Sequence, residues 1–294
     1  MVWKLADSTQ TPSESPGFLT RFFRACLPTF RYWMDTEVHV FGFSIAANVL
    51  LSVYPFLIVL VSVCRYVLHW NAAEDAIFFA LRDYFPGKSG VGEFLERNIM
   101  ATVRPVEFVS LLLLLFTANG IFEPLEVAMN RAWGITRNRS FFRNQLVSMG
   151  LIFGCGALAL LSVSLTAFNQ DILPGDWAAA RAANTVMRIA LYKAAALPVS
   201  IFMLFLVYWI LPNKRIPPFE VLPTAVVVGI ALEVLKYINL LTWPFLARKL
   251  SREYGVFINS VTIILWSFFA SMVVLAGAEW TARRRGVAPE SAEI

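Results

Sequence analysis

FGFSIAANVLLSVYPFLIVLVSVC, residues 41–64, contains no charged side chain, and none occurs anywhere between Glu37 and Arg65. A helix rises about 1.5 Å per residue, so about 20 apolar residues cross the roughly 30 Å hydrocarbon core of a bilayer. The stretch is long enough for that and reads as a transmembrane helix. Composition extends the reading to the whole chain. Of 294 residues, 58% are hydrophobic and 15% charged, with a mean hydropathy of +0.63, whereas a soluble domain carries about a quarter charged residues. The excess is spread along the chain rather than held in one anchor. The expected fold is therefore all-α: a polytopic membrane bundle of about six transmembrane helices with an N-terminal interfacial helix, and not a soluble enzyme.

On the N-terminal side, residues 1–17 include TQTPSESPG and read as a disordered tail. They lack an apolar core, so no cleavable signal is expected and the first span acts as its own insertion signal. Residues 18–36 mix Phe18, Phe22, Phe23, Phe30 and Trp33 with Arg21, Arg24 and Arg31, the pattern of an amphipathic segment in the interface, kinked at Pro28. On the C-terminal side, further spans are expected at about 108–132, 146–168, 194–212, 221–243 and 256–279. The second and fifth are imperfect because they carry charge. The long connection 65–107 reads as a helical hairpin divided at Pro86-Gly87, resting on the bundle. Residues 18–283 then form a single membrane domain, and 284–294 a C-terminal tail.

Orientation follows from Lys and Arg. The side holding both termini and the loops at 130–145 and 214–215 carries 13 of them, and the other side 11. Short loops govern this rule, and the loop 130–145 holds Arg131, Arg137, Arg139 and Arg143 with no acidic residue. Both termini are placed in the cytoplasm. On a membrane protein the net charge of +5 reads as topology and lipid contact rather than nucleic-acid binding. The four arginines are candidate contacts for anionic head groups.

Ionisable groups within a span usually face the bundle interior and often mark function. Glu233 and Lys236 are three apart and share a helix face with Asn239. They form either a structural pair that locks the helix or part of a substrate pathway. In FEPLEVAMNRAWG (122–134), Pro124 removes a backbone donor beside Glu123. Either the helix breaks there, so that Asn119, Glu123 and Glu126 line a cavity, or the carboxylates sit at the interface and pair with Arg131 or another basic residue. Asn48, about two turns before the Tyr54-Pro55 kink, is an interhelical hydrogen bonder or a member of the same pathway.

No cofactor is expected. His39 and His69 are the only histidines, and they stand at opposite ends of the first span without HExxH or paired-ligand spacing. No phosphate-binding GxxxxGK[ST], no GxGxxG after a strand and no GxSxG elbow occurs. Cys26, Cys64 and Cys155 are widely spaced, so no disulfide framework is expected.

Three stretches in fixed order resemble the YihY/BrkB family of bacterial inner-membrane proteins. The first is NVLLSVYPFLIVLVSV (48–63), followed by DYFPG (83–87). The second is FTANGIFEPLEVAMNRAWGI (116–135) with RNRSFFRNQL (137–146). The third runs from LVYWILPNKR (206–215) through ALEVLKYINLL (231–241) to YGVFINSVTIILWSFFASMVVLAGAEWTA (254–282). The resemblance covers about residues 18–283. It implies a six-helix inner-membrane protein with cytoplasmic termini. Its older ribonuclease BN label finds no metal-ligand chemistry here, and a role in moving lipids or envelope components has been suggested for relatives. The expected function is transport or flipping of a lipid or other amphiphile, with membrane lipids as partners. The alternative is a non-transporting scaffold or envelope assembly factor.

Overall fold

The computed structural model describes residues 27–84, 97–101, 108–136, 139–167 and 197–286. In chain order these form α1 (27–33), α2 (Thr36–Ser62) with a π-helical turn (Val63–Val67), α3 (Asn71–Tyr84), α4 (97–101) and α5 (Phe108–Ala132). There follow α6 (Phe141–Ala167), α7 (Leu197–Ile210), α8 (Pro218–Tyr254), a 3-10 turn (Gly255–Phe257) and α9 (Ile258–Arg284). No strand occurs among the described residues. The molecule is a helical membrane bundle.

The stretch 41–64 lies in α2, which begins five residues earlier. Asp35 is extended at its N-cap, and its carboxylate accepts the Glu37 backbone N–H at 3.2 Å, supplying one of the bonds that a helix start lacks. The helix runs through Pro55 without ending. It finishes in the π-helical turn, after which His69 at φ 49° turns the chain away. α2 is the hub of the bundle and packs on α5 and α9. Ser271 of α9 donates to the Gly42 carbonyl at 3.2 Å, and Phe43 stacks on Phe268 at 4.2 Å.

Among the described residues, four helical segments are long and apolar enough to cross a bilayer by length and composition: Thr36–Val67, Phe142–Leu161, Pro218–Tyr254 and Ile258–Arg284. They answer the expected first, third, fifth and sixth spans. The second, α5, is 25 residues long but carries Glu123, Glu126 and Arg131. The fourth is described only over Leu197–Ile210. α8 exceeds its expected limits: 37 residues make about 55 Å of helix, well over the hydrocarbon thickness. Its surplus holds Arg248, Lys249, Arg252 and Glu253, which suit water or head groups. Gly255, at φ 51°, then reverses the chain into α9 with a backbone that a side chain would strain.

Of the two readings of FEPLEVAMNRAWG, the broken helix is not observed: α5 is continuous from Phe108 to Ala132, matching the span expected at 108–132. Proline forfeits a single backbone bond, and the flanking turns hold because Phe122, Leu125, Ala128 and Met129 are buried in the core.

Two apolar clusters fill the bundle. The larger joins Phe122, Met129, Leu151, Leu211, Val221 and Leu275. The smaller joins Leu57, Val61 and Cys64 of the hub segment with Ile77 and Phe78 of α3, Ile99 of α4 and Ile263. Both described arms of the expected hairpin therefore rest on the bundle; its connecting residues 85–96 lie outside the described residues, as do the tail 1–17 and residues 18–26 of the interfacial segment. Elsewhere large apolar side chains face outward, with Phe142, Phe219 and Leu241 more than 80% exposed or nearly so (80%, 84% and 83%). Such surface is costly in water and suited to lipid.

Candidate functional site

Two places gather polar groups: one inside the bundle along α8, the other at the end where α5, α7 and α9 finish and α2, α6 and α8 begin.

On α8, Lys236 Nζ lies 2.6 Å from Glu233 Oε1, and their side chains are 10% and 29% exposed. The three-residue spacing places both on one helix face, as the sequence implied. Asn239 follows on the same stripe and is buried. These three residues line a cavity of about 240 Å³ with Ser200, Gly229 and Trp266 from α7, α8 and α9. The volume falls below the roughly 300–1,000 Å³ of a pocket for a drug-sized ligand. It has room for a small polar group, not for acyl chains. The Lys236 ammonium also stands 5.5 Å from the Tyr237 ring centroid.

The other sequence-predicted residues lie apart from this cavity. Asn48 of α2 nests against Gly120 of α5, where a Cβ would stand 2.1 Å from its Oδ1, and its amide donates to the Ser44 carbonyl at 2.9 Å. Asn119 lies in α5, and its side chain is outside the described residues. Glu123 is exposed and Glu126 buried. Arg131 forms an ion pair with Glu37 of α2 and lies over the Phe41 ring. The Glu126 carboxylate takes the Arg139 backbone N–H and lies 3.4 Å from Asn130 Nδ2.

Among the described loop arginines, Arg139 makes three hydrogen bonds to backbone carbonyls. Its Nη1 donates to Leu211 O at 2.9 Å, and its Nη2 to Ile210 O at 2.8 Å and Pro212 O at 3.2 Å. Ile210 ends α7, and Leu211 and Pro212 follow it, so the guanidinium serves carbonyls that the helix end leaves without an intrahelical partner. Burial, followed by repulsion from Arg143, lowers the Arg139 pKa from its ordinary value, while Glu126 opposes that shift. Asn130 Oδ1 accepts the Asn213 N–H at 2.8 Å, and Trp209 Nε1 donates to Ile216 O at 3.1 Å. The 211–217 loop is thus pinned at three places. Around it lies a cavity of about 630 Å³ lined by Arg139, Arg143, Lys214 and Arg215, with Trp209 and Pro218. Arg137 lies outside the described residues.

Comparison with known proteins identifies the group to which this arrangement belongs. The family model described as virulence factor BrkB matches residues 29–293. The chain belongs to this family. Among BrkB-family relatives, a UPF0761 membrane protein of Pseudoalteromonas translucida is 23% identical over 95% of this chain and 89% of its own length. A UPF0761 membrane protein of Acinetobacter baylyi is 24% identical over 78% of this chain, which spans only 54% of that protein. A Bacillus subtilis protein named ribonuclease-like, YfkH, is 22% identical over 78% of this chain and 84% of its length. No solved structure matches the chain.

Within this BrkB-family chain, sequence reasoning missed two parts of the basic end. Lys214 and Arg215 counted only towards topology, although NKR directly after an apolar run marks a loop at a helix end. The clasp between Thr29, Glu279 and Arg283 left no local signal for Thr29, which is 250 residues from Glu279 and 254 from Arg283. Thr29 Oγ1 donates to Glu279 Oε2 at 2.8 Å, and Arg283 Nη2 donates to Thr29 Oγ1 at 2.6 Å. Arg283 also pairs with Glu279 at 3.0 Å. Among the described residues, no group of three or more His, Cys, Asp or Glu side chains is placed to hold a metal ion, and Cys64 and Cys155 are free thiols.

Proposed function

We propose that this BrkB-family protein transports or flips a lipid or other amphiphile of the cell envelope, in the inner membrane of a bacterium and with both termini in the cytoplasm. The observation that carries the reading is the α8 cavity, where a half-buried ion pair and the buried Asn239 face space between three helices. Ionisable groups are costly at that depth and are retained where they meet a polar substrate group or water. The polar head of an amphiphile occupies such a cavity while its chains stay in the bilayer. Basic side chains at the opposite end of α8, Arg139 and Arg143 among them, supply a first contact for anionic head groups, each near-surface cation contributing about 1 kcal/mol. On this reading the orientation follows from the clustering of Arg131, Arg139, Arg143, Lys214, Arg215 and Arg283 to Arg285 at one end. The protein is no enzyme, and its partners are lipids rather than nucleic acid.

The test is reconstitution in liposomes carrying labelled anionic lipids. Protein-dependent redistribution is expected, and its absence across phosphatidylglycerol, phosphatidic acid and cardiolipin sinks the proposal.

A non-transporting scaffold is the second reading, and one feature favours it. Glu233 and Lys236 already neutralise each other, and Asn48 and Glu126 are held separately elsewhere, so the polar groups form no continuous path. The folded Glu233→Gln/Lys236→Met variant separates the two readings: the scaffold keeps its function, and the transporter loses it.

A further inference from the structure

The cavity at the basic end carries more positive charge than the fold uses. Of its four cationic lining residues, only Arg139 has a structural task, holding the end of α7. Arg143, Lys214 and Arg215 are exposed, and no ion pair joins them to a carboxylate among the described residues. The lining residues include no Asp or Glu. The nearby acids are engaged elsewhere: Glu126 lies beside Arg139, and Glu220 pairs with Arg285. Lys214 rests over the Trp133 ring at 5.9 Å.

The setting is also rigid. Asn130, Arg139 and Trp209 pin the 211–217 loop from three sides, and Pro212, Pro217 and Pro218 restrict its backbone further. α8 starts at Pro218 with no side-chain cap on its first turn, which adds the positive end of a long helix beside the same cavity. Like charges held together in a fixed frame repel, and the repulsion between Arg139 and Arg143 is already felt. A multiply charged anion relieves it.

We infer that this cavity is a binding site for a phosphate-bearing group, with Arg143, Lys214 and Arg215 as its ligands and Arg139 as the residue that fixes their frame. A phosphate monoester carries up to two negative charges and three acceptor oxygens, which suit a planar Arg fork beside a Lys point charge. A carboxylate brings a single charge and leaves most of the cluster uncompensated. The phosphate can belong to a lipid head group or to a soluble compound. The inference extends the head-group reading of this end and does not require that the protein transport anything.

The test uses the full chain in phosphatidylcholine nanodiscs. Inorganic phosphate is titrated by calorimetry against chloride of matched ionic strength. In parallel, phosphatidic acid is added to the nanodiscs and its retention counted by native mass spectrometry. Saturable binding of one phosphate group per chain is expected in at least one arm. Binding in the lipid arm alone assigns the source to a head group, and binding of inorganic phosphate assigns it to a soluble compound. Lys214→Gln/Arg215→Gln should weaken binding by about tenfold or more, while the matched charge removal Arg31→Gln/Arg284→Gln changes it by less than about twofold. No saturable binding in either arm, or equal losses in the two variants, overturns the inference. Glu233→Gln/Lys236→Met should keep phosphate binding, so loss of transport in that variant tells against neither this site nor its ligand.

Discussion

Gly277 of α9 faces Tyr208 of α7 so closely that a Cβ in place of its hydrogen would stand 2.6 Å from the Tyr208 hydroxyl oxygen and 2.4 Å from a Val228 methyl. That hydroxyl donates to the Val274 carbonyl at 2.7 Å, and Tyr208 is 4% exposed, so it has nowhere to retreat. Close backbone approach is what small residues provide where membrane helices cross. Gly277→Ala is therefore expected to destabilise the protein by about 1–3 kcal/mol, as overpacking does in a dense core. Thermal unfolding in detergent checks it. In a Tyr208→Phe background the loss should shrink by about 0.5 kcal/mol or more through direct coupling. An unchanged melting temperature in Gly277→Ala would show that the three helices are not packed this closely.

Arg139 should be among the least replaceable charged residues. Arg139→Met removes the donor serving three carbonyls and leaves Glu126 buried without its nearest cation. A loss of about 2–5 kcal/mol is expected. Arg139→Lys should recover little, because a single ammonium cannot reproduce the fork that spans Ile210 to Pro212. In a Glu126→Gln background Arg139→Met should cost less, since no buried carboxylate is then stranded. Equal costs in the two backgrounds would show that Arg139 acts on the carbonyls alone.

The α8 ion pair gives a prediction with a definite order. Lys236→Met alone strands Glu233 in the bundle, and Glu233→Gln alone strands Lys236. Removing both leaves no net charge to desolvate. The double variant should be more stable than either single one, by about 1–3 kcal/mol, following the behaviour of buried pairs elsewhere. A double variant less stable than both singles would mean that each residue has a second charged partner of its own.

How much of this was legible in the sequence depended on range. The α2 stretch was legible because a charge-free run needs no partner to be recognised, and the α8 polar face because three-residue spacing fixes relative orientation within one helix. The continuity of α5 through Pro124 was only partly legible: the span expected at 108–132 assumed it, but a proline in FEPLE costs one local bond, and whether packing outweighs it depends on Phe122, Leu125 and Met129 meeting residues far away in sequence. The basic cavity was half legible. Arg139 and Arg143 belonged to an evident cluster, but Lys214 and Arg215 come beside them only because the end of α7 folds against the loop before α6. Their grouping with Arg131 also failed to separate a guanidinium paired with Glu37 from those that line open space.

The clasp that docks α1 offers a last test with an optical readout. Tyr32 packs against the core beside the Thr29–Glu279–Arg283 contacts. Burial, then the negative charges of Glu279 and Asp35, raises its phenol well above the ordinary value of 10.0, with Arg131 opposing. A group whose folded pKa is raised contributes stability below its unfolded pKa and loses that contribution as pH climbs towards the folded value. The α1 dock should therefore hold at neutral pH and weaken only above about pH 10. In the folded protein Tyr32 stays protonated at pH values where a free phenol ionises. Tyr32→Phe should then leave the rise in tyrosinate absorbance between about pH 9 and 11 unchanged. If Tyr32→Phe removes one tyrosine's worth of signal in that window, α1 is not seated against Glu279. Thr29→Val, which deletes both hydroxyl contacts of the clasp, should move Tyr32 back into the ordinary range and make its ionisation visible there.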